Sequence, residues 1–331
     1  MWRVIGQDRV LTSLEQGIKQ GSIAHAYLLT GPRHIGKRTL AVDLARAINC
    51  DAAEPPCGQC SSCLRIAEEK HADVVLTQLD STAEIGIDTI KELQHLANLP
   101  PYEGRCKVFI IDDAEYLSSE AANRLLKILE EPPPKVLWLL LTSEEERLLP
   151  TIVSRCCRLE LKPVPPKEMQ KMLTDRYNLE PGKASLFARL SHGCPGWAIS
   201  ATGDDALLRQ RAENIDKLAS LPTATLEQRF AYAEELAAQF SKQRKPVMEI
   251  IDAWIGWWRD LMLLKGGGED SITNIDYKDT LEKQAGSLTL EETHDFIARL
   301  RRAKEQLNQN INPRLLLEWL MLNIPGGKAR R

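Results

Sequence analysis

One segment constrains everything around it: Gly31-Pro-Arg-His-Ile-Gly-Lys-Arg-Thr39, preceded by Ala26-Tyr-Leu-Leu-Thr30 and followed by Leu40-Ala-Val-Asp-Leu-Ala-Arg-Ala-Ile48. The first flank reads as a buried strand, the second as an amphipathic helix, and the glycines between them as a tight loop. Strand, glycine-rich loop and helix in that order make a phosphate-binding loop, where backbone N–H groups and a helix N-terminus face an anion. The full pattern asks for Gly, four residues, Gly-Lys and then Ser or Thr, whose hydroxyl holds the Mg²⁺ that bridges nucleotide phosphates. Gly31, Gly36 and Lys37 are in register, but Arg38 occupies the hydroxyl position. Thr39 comes one residue late, and on a helix that step turns its hydroxyl away by about 100°. The chain thus has the outline of an ATP and Mg²⁺ site together with a reason for that site to fail.

Such a Gly-x₄-Gly-Lys string arises by chance in roughly one chain in ten of this length, so its surroundings have to support it. Val74-Val-Leu-Thr77, Lys107-Val-Phe-Ile-Ile111 and Val136-Leu-Trp-Leu-Leu-Leu-Thr142 read as further buried strands, with helices near 86–98 and 119–131. The alternation predicts an α/β fold with a parallel sheet covered on both faces. Asp112-Asp113 follows the strand at 107–111, where a Walker B motif sets an Asp near Mg²⁺ and a Glu to orient the attacking water. Asp113 is one methylene shorter than that Glu and orients water less well. The other reading of the pair is a strand-end turn capping the next helix. Thr142, with Ser143, ends a buried strand where a γ-phosphate sensor sits in such a sheet. Arg155, in Ser154-Arg155-Cys156, is either an ordinary surface residue or an arginine finger that reaches a neighbour's nucleotide.

Four of the eight cysteines, Cys50, Cys57, Cys60 and Cys63, form C-x₆-C-x₂-C-x₂-C directly after the loop's helix. Four thiolates so close suit one tetrahedral Zn²⁺, and with every position filled by sulfur the metal is structural. Redox chemistry by the C-x-x-C pairs lacks its usual strand-to-helix setting. Cys106, Cys156, Cys157 and Cys194 are scattered and are expected to be buried or inert, with their thiols reduced.

From about residue 163 the sequence changes character. Pro163, Pro165 and Pro166 mark a linker, residues 167–203 form a small helical unit, and amphipathic segments follow at 226–241, 246–264 and 290–309. Gly266-Gly-Gly268 and a polar stretch to about 287 interrupt them, and Trp254, Trp257 and Trp258 have the spacing of core or interface packing. A net charge of −3 argues against a strongly basic nucleic-acid coat. With no signal-like N-terminus and no run of membrane-spanning length, the reading is a cytoplasmic protein with no membrane contact.

Taken together these residues resemble the bacterial clamp-loader branch of the AAA+ ATPases, whose subunits open a sliding clamp for DNA polymerase III. The resemblance covers about residues 3–203 and extends beyond them only as general helical character. It rests on Val4-Ile-Gly-Gln7, an adenine-side box; His25-Ala-Tyr-Leu-Leu-Thr-Gly-Pro32; the four-cysteine insertion; Ala121-Ala-Asn-Arg-Leu-Leu-Lys-Ile-Leu-Glu-Glu-Pro-Pro133; and Thr151-Ile-Val-Ser-Arg-Cys156. It implies a RecA-like P-loop domain over 1–163 with a zinc-binding insertion at about 50–63. A helical lid over 164–204, an all-α oligomerisation collar over 205–325 and a disordered tail over 326–331 would follow. In that family the Ser-Arg-Cys string carries the arginine finger, which places the role on Arg155.

Departures from the motor subunits of that branch narrow the expectation. Motor loops resemble Gly-x-x-Gly-x-Gly-Lys-Thr, whereas this chain has His34 and Arg38. Their second sensor looks like Gly-Ser-x-Arg-Asp-Ala, whereas His192-Gly-Cys-Pro-Gly-Trp-Ala198 has no Arg or Lys. A worn loop, an intact Ser-Arg-Cys and a zinc knuckle resemble the stationary delta-prime type of subunit. That type implies no ATP turnover of its own and a hetero-oligomeric ring with motor and delta subunits. Contact with the sliding clamp and primer-template DNA would come through the complex. The alternatives are an ATP-hydrolysing motor subunit of gamma/tau type and a module that binds nucleotide without turnover.

Overall fold

The apolar runs read from the sequence pair edge to edge. The computed structural model describes residues 2–78, 84–203, 205–309 and 311–326. In chain order its first part runs α1 (Asp8–Gln20), β1 (Ala26–Thr30), α2 (Lys37–Ile48), α3 (Ser61–Ala67), β2 (Val74–Thr77), α4 (Ile87–Ala97) and β3 (Lys107–Ile111). It continues with α5 (Ser119–Glu130), β4 (Val136–Thr142), α6 (Pro150–Val153) and β5 (Cys157–Glu160). The five strands form one sheet in the order β2-β3-β4-β1-β5, with every pair parallel.

Side chains alternate across a strand, and here both faces are apolar. Leu28, Phe109, Trp138 and Leu140 face the layer of α4, α5 and α6, with Phe109 and Trp138 stacked at 4.6 Å. Leu29, Val108, Ile110, Leu139 and Leu141 face the layer of α1, α2 and α3. This is the α/β layering the alternation predicts, and the first domain is a RecA-like P-loop sheet. β5 is the strand that apolar patterning does not reveal: only Leu159 is buried, between exposed Cys157, Arg158 and Glu160. An edge strand needs a single inward residue and tolerates charge on its open side.

The remaining elements are α7 (Pro166–Tyr177), α8 (Pro181–Leu190), α9 (Pro195–Thr202), α10 (Asp205–Ser220), α11 (Leu226–Lys242), α12 (Arg244–Lys265), α13 (Lys278–Ser287), α14 (Leu290–Asn308) and α15 (Pro313–Leu322). The chain parts into two compact units, Met1–Lys171 with Ser191–Ile199, and Met172–Leu190 with Ser200–Arg331. The segment expected to form a lid therefore contributes residues to both. In the second unit Trp254, Trp257 and Trp258 of α12 are all buried, and Trp257 Nε1 donates to Gln284 Oε1 at 3.0 Å. That bond comes from α13, a helix inside the stretch that reads as a polar interruption. Its inward Leu281 and Ala285 are too few to give the stretch an apolar period. The basic tail Lys328–Arg331 lies outside the described residues.

Candidate functional site

The loop after β1 takes the path a phosphate-binding loop needs. Gly31 has φ 144°, and a side chain there would meet the Leu161 carbonyl at 2.7 Å, so glycine is required on both counts. Gly36 caps α2 at φ 107°, while His34 holds φ 63° without being glycine, a strained choice. Lys37 is buried, and its ammonium donates to the carbonyls of Gly31 (2.8 Å) and Pro32 (3.1 Å) and to Ser143 Oγ (2.9 Å). An ammonium has three N–H donors, so all are used within the chain. Burial pulls the Lys37 pKa below its ordinary value, against the charges of Glu115, Asp112 and Asp113.

The segment read as a cation-free second sensor closes on this loop. Gly196, at the start of α9, donates its N–H to the His34 carbonyl at 2.9 Å, and a Cβ at 196 would meet that oxygen at 2.9 Å. Cys194 is buried in the same core as Leu40 and Leu44 of α2. Gln7 of the Val4-Ile-Gly-Gln7 string is buried; it donates to the Lys162 carbonyl (2.8 Å) and accepts from the Lys162 N–H (3.0 Å).

At the Mg²⁺-ligand position, Arg38 turns to Glu69 Oε1 (2.6 Å) and Gln78 Oε1 (3.0 Å). Thr39 sits half-buried in the first turn of α2. Burial pushes the Asp112 carboxyl above its usual range and neighbouring Asp113 adds to this, while the Asp113 N–H, Arg38 and Lys37 pull it back. Asp113 adopts φ 52° and makes no side-chain cap to the 3₁₀ turn that follows. Thr142 is buried and its hydroxyl accepts from the Glu144 N–H at 3.1 Å, so the hydroxyl that meets Lys37 is that of Ser143. Sequence reading missed Glu115. It is 5 % exposed, its Oε1 accepts from the Ser143 N–H at 3.2 Å, and its Oε2 has no partner among the described residues. The only signal was its place one turn beyond the Asp pair.

Gly31, Gly36, Lys37, Asp112, Asp113 and Thr142 thus gather at the C-terminal ends of β1, β3 and β4. Arg155 does not join them. It precedes β5, which pairs with β1 from Tyr27↔Cys157 to Thr30↔Glu160. From the level of Cys157 to Gly31 is four residues of β1, roughly 13 Å at about 3.3 Å per residue, and Arg155 lies further back still. Its guanidinium pairs with Glu130 Oε1 at 2.7 Å and donates to the Thr151 carbonyl at 3.0 Å.

The four cysteines of the insertion converge. Their sulfurs lie within 4.8 Å of one another, with Cys57 and Cys63 at 3.9 Å and Cys50 and Cys60 at 4.0 Å. Zn–S bonds of about 2.3 Å in a tetrahedron put sulfurs roughly 3.8 Å apart, so the set fits such a metal. Backbone N–H groups already point at the sulfurs: Cys57 to Cys50 (3.4 Å), Cys60 to Cys57 (3.3 Å) and Cys63 to Cys60 (3.4 Å). The N–H groups of Gln59 and Cys60 bring the Cys57 thiol down to about 6, while burial pushes Cys63 up to about 12. Of the other cysteines, Cys194 is buried and Cys106 and Cys156 are half-buried, but Cys157 is exposed, so for it burial is not the reason a thiol would be inert. It is the first residue of the edge strand β5, two before the inward Leu159.

Comparison with known proteins bears on the whole chain. Residues 6–165 match the family described as DNA polymerase III, delta subunit, and residues 207–325 match its C-terminal counterpart. The DNA polymerase III subunit delta' of Bacillus subtilis is 30% identical over 322 residues, 97% of this chain and 97% of the relative. The tau subunit of the same organism is 28% identical over 342 residues, 97% of this chain but 60% of the relative. A DNA polymerase III gamma subunit-related protein of Thermotoga maritima, known as a structure, is 20% identical, with 94% of this chain and 97% of that one covered at a TM-score of 0.44. On the near-complete match to a delta' subunit and the two family matches, this chain belongs to the clamp-loader family of DNA polymerase III, among its delta'-like and gamma/tau-like subunits.

Proposed function

We propose that the chain acts as the delta-prime-type subunit of a clamp loader, supporting ATP-dependent loading of a sliding clamp in DNA replication. In this reading its own loop does not turn over ATP, and Arg155 completes the site of the adjacent motor subunit. The observation that carries it is the separation of the two cations. Lys37 spends its donors on its own chain, whereas Arg155 stands at the far end of β5, beyond reach of its own loop. A guanidinium so placed can stabilise phosphoryl charge only on a neighbouring molecule.

The rest of the reading follows the same division. Zn²⁺ in the four-cysteine knuckle is structural, since four sulfurs leave no position for water. The sheet domain ends near 163, a lid covers about 164–204, and a collar over 205–325 binds the ring of motor and delta subunits. For the collar, α15 exposes Leu315, Trp319 and Leu322 at helical spacing while Leu316, Leu317, Leu320 and Met321 fill its core. That exposed apolar stripe, beside the Arg314–Glu318 pair, is suited to burial in an assembly. Clamp and primer-template DNA are met through the complex, in the cytoplasm. Among the described residues no helix is long and apolar enough to cross a membrane.

The test is a reconstituted complex carrying either Arg155→Ala or Lys37→Ala. With Arg155→Ala, assembly is retained and turnover at the served site falls by about 10³-fold or more, the scale of a lost arginine finger. With Lys37→Ala, turnover is unchanged. Full ATPase and clamp loading by Arg155→Ala would sink the reading. The match to a tau subunit favours a second reading, a motor subunit that tolerates Arg38; Lys37-dependent ATPase of the isolated chain would establish it.

A further inference from the structure

The two acidic residues at the end of α5 break a local rule. A helix C-terminus carries partial negative charge and favours cations, yet α5 ends in Glu130 and is followed by Glu131. Glu130 is half exposed and gains nothing from the core. Its one ionic partner among the described residues is Arg155, bound at 2.7 Å through Nη2. Nη1 is held at the same time by the Thr151 carbonyl at 3.0 Å, and Ser154 Oγ donates to that carbonyl at 3.1 Å. Both terminal nitrogens of the guanidinium are therefore engaged, one by a charge and one by a backbone dipole. A residue placed against its helix dipole, whose visible contact is to one cation, is explained by what it does to that cation.

We infer that Glu130 is a positioning residue that holds the Arg155 guanidinium while no phosphate is presented to it, and competes with the phosphate for it. The inference rests on the trans-acting role of Arg155. A carboxylate and a phosphate both favour the bidentate fork of arginine, so the same nitrogen cannot serve both fully. Glu130 thereby sets how tightly the neighbouring nucleotide must bind to draw the finger across. It does not set the rate once the finger is engaged. Because both partners are partly exposed, the hold is weak enough to be exchanged and is screened by salt.

Two measurements on Glu130→Gln test this separately from the finger itself. In the isolated chain, modification of Arg155 by an arginine-selective dicarbonyl, followed by peptide mass spectrometry, should run roughly two- to fivefold faster than in the native chain, the range of an exposed ion pair. An equal rate would overturn the hold, whatever Arg155 does in the complex. In the reconstituted complex the variant should lower KM for ATP by a similar factor at unchanged kcat, with the gap closing at high salt and Glu130→Asp falling between. An unchanged or raised KM, with Arg155→Ala still abolishing turnover, would overturn the competition and leave the finger intact. If Arg155→Ala has no effect, the finger reading fails by itself. A merely structural Glu130 would lower Tm without lowering KM.

Discussion

At the C-terminal end of the sheet a cation is buried and fully occupied, and at the opposite end one is partly exposed and only lightly held. Lys37 donates to two carbonyls and a hydroxyl of its own chain, and α9 fastens the same loop through Gly196 and His34. Arg155 is 35% exposed and rests on one carboxylate, one carbonyl and, at 3.5 Å, the Ser154 hydroxyl, with N–H groups to spare among its five. One domain thus holds a loop whose lysine is tied to its own chain and a guanidinium held only at the surface. The difference lies in what each must give up: Lys37 three buried hydrogen bonds, Arg155 a surface pair of about 0–1 kcal/mol.

The largest effect that can break this comparison is on the metal. α2 begins at the loop and its last turn leads directly into Cys50, so a metal held by the knuckle would act on the Lys37 end before the Arg155 end. Cys60→Ser, or chelation, should release one zinc per chain by elemental analysis. A structural metal is worth about 4 kcal/mol or more, so Tm should fall by roughly 8–16 °C. Hydrogen exchange should rise first in α2 and its loop and later in α6 and β5. Metal-free native protein, or loosening that begins around Arg155, would show that the two ends are not separately supported.

A second, smaller effect sharpens the Lys37 side. His34→Gly removes a side chain from a left-handed position, and Arg38→Thr restores the hydroxyl that a Mg²⁺-bridged phosphate needs. Together they should raise the affinity of the isolated chain for ATP with Mg²⁺ by about tenfold or more, the worth of one hydrogen bond to a charged group. No gain by calorimetry would assign the closure to the hold of α9 on the loop, not to the two side chains.

How much of this could be read from residues alone differs between the two ends. The strands of the buried sheet were legible because each is a continuous apolar run, and the loop because glycine and lysine spacing is local. β5 was not, since an edge strand with one inward leucine has no period to detect. The closure of the loop was partly legible: the missing cation in 192–198 is a sequence fact, but the Gly196 to His34 bond joins residues 162 apart. Glu115 was passed over for the same reason, because only folding brings the turn after β3 beside Ser143 at the end of β4. The Glu130–Arg155 pair likewise joins two motifs that were each noticed as strings and whose contact is tertiary.

The smallest predicted effect asks whether the Lys37 end retains a working electrostatic site. Burial and Asp113 raise the Asp112 pKa in the folded chain, outweighing Arg38 and Lys37. A carboxyl raised on folding favours the native state when protonated, below the unfolded value of about 3.9, and that advantage is lost as pH climbs through the folded value. At neutral pH the charged Asp112 is then a net cost to folding. Asp112→Asn keeps an oxygen that can accept the Asp113 N–H, seen at 3.0 Å, and removes the charge. The variant should melt above the native chain at pH 7, and the gap should close near pH 4 as the native carboxyl takes up its proton. A lower Tm at pH 7 would mean that Lys37 and Arg38 stabilise the anion after all. The nucleotide end would then still hold its acid and its cations in the balance of a site able to bind metal-bridged phosphate.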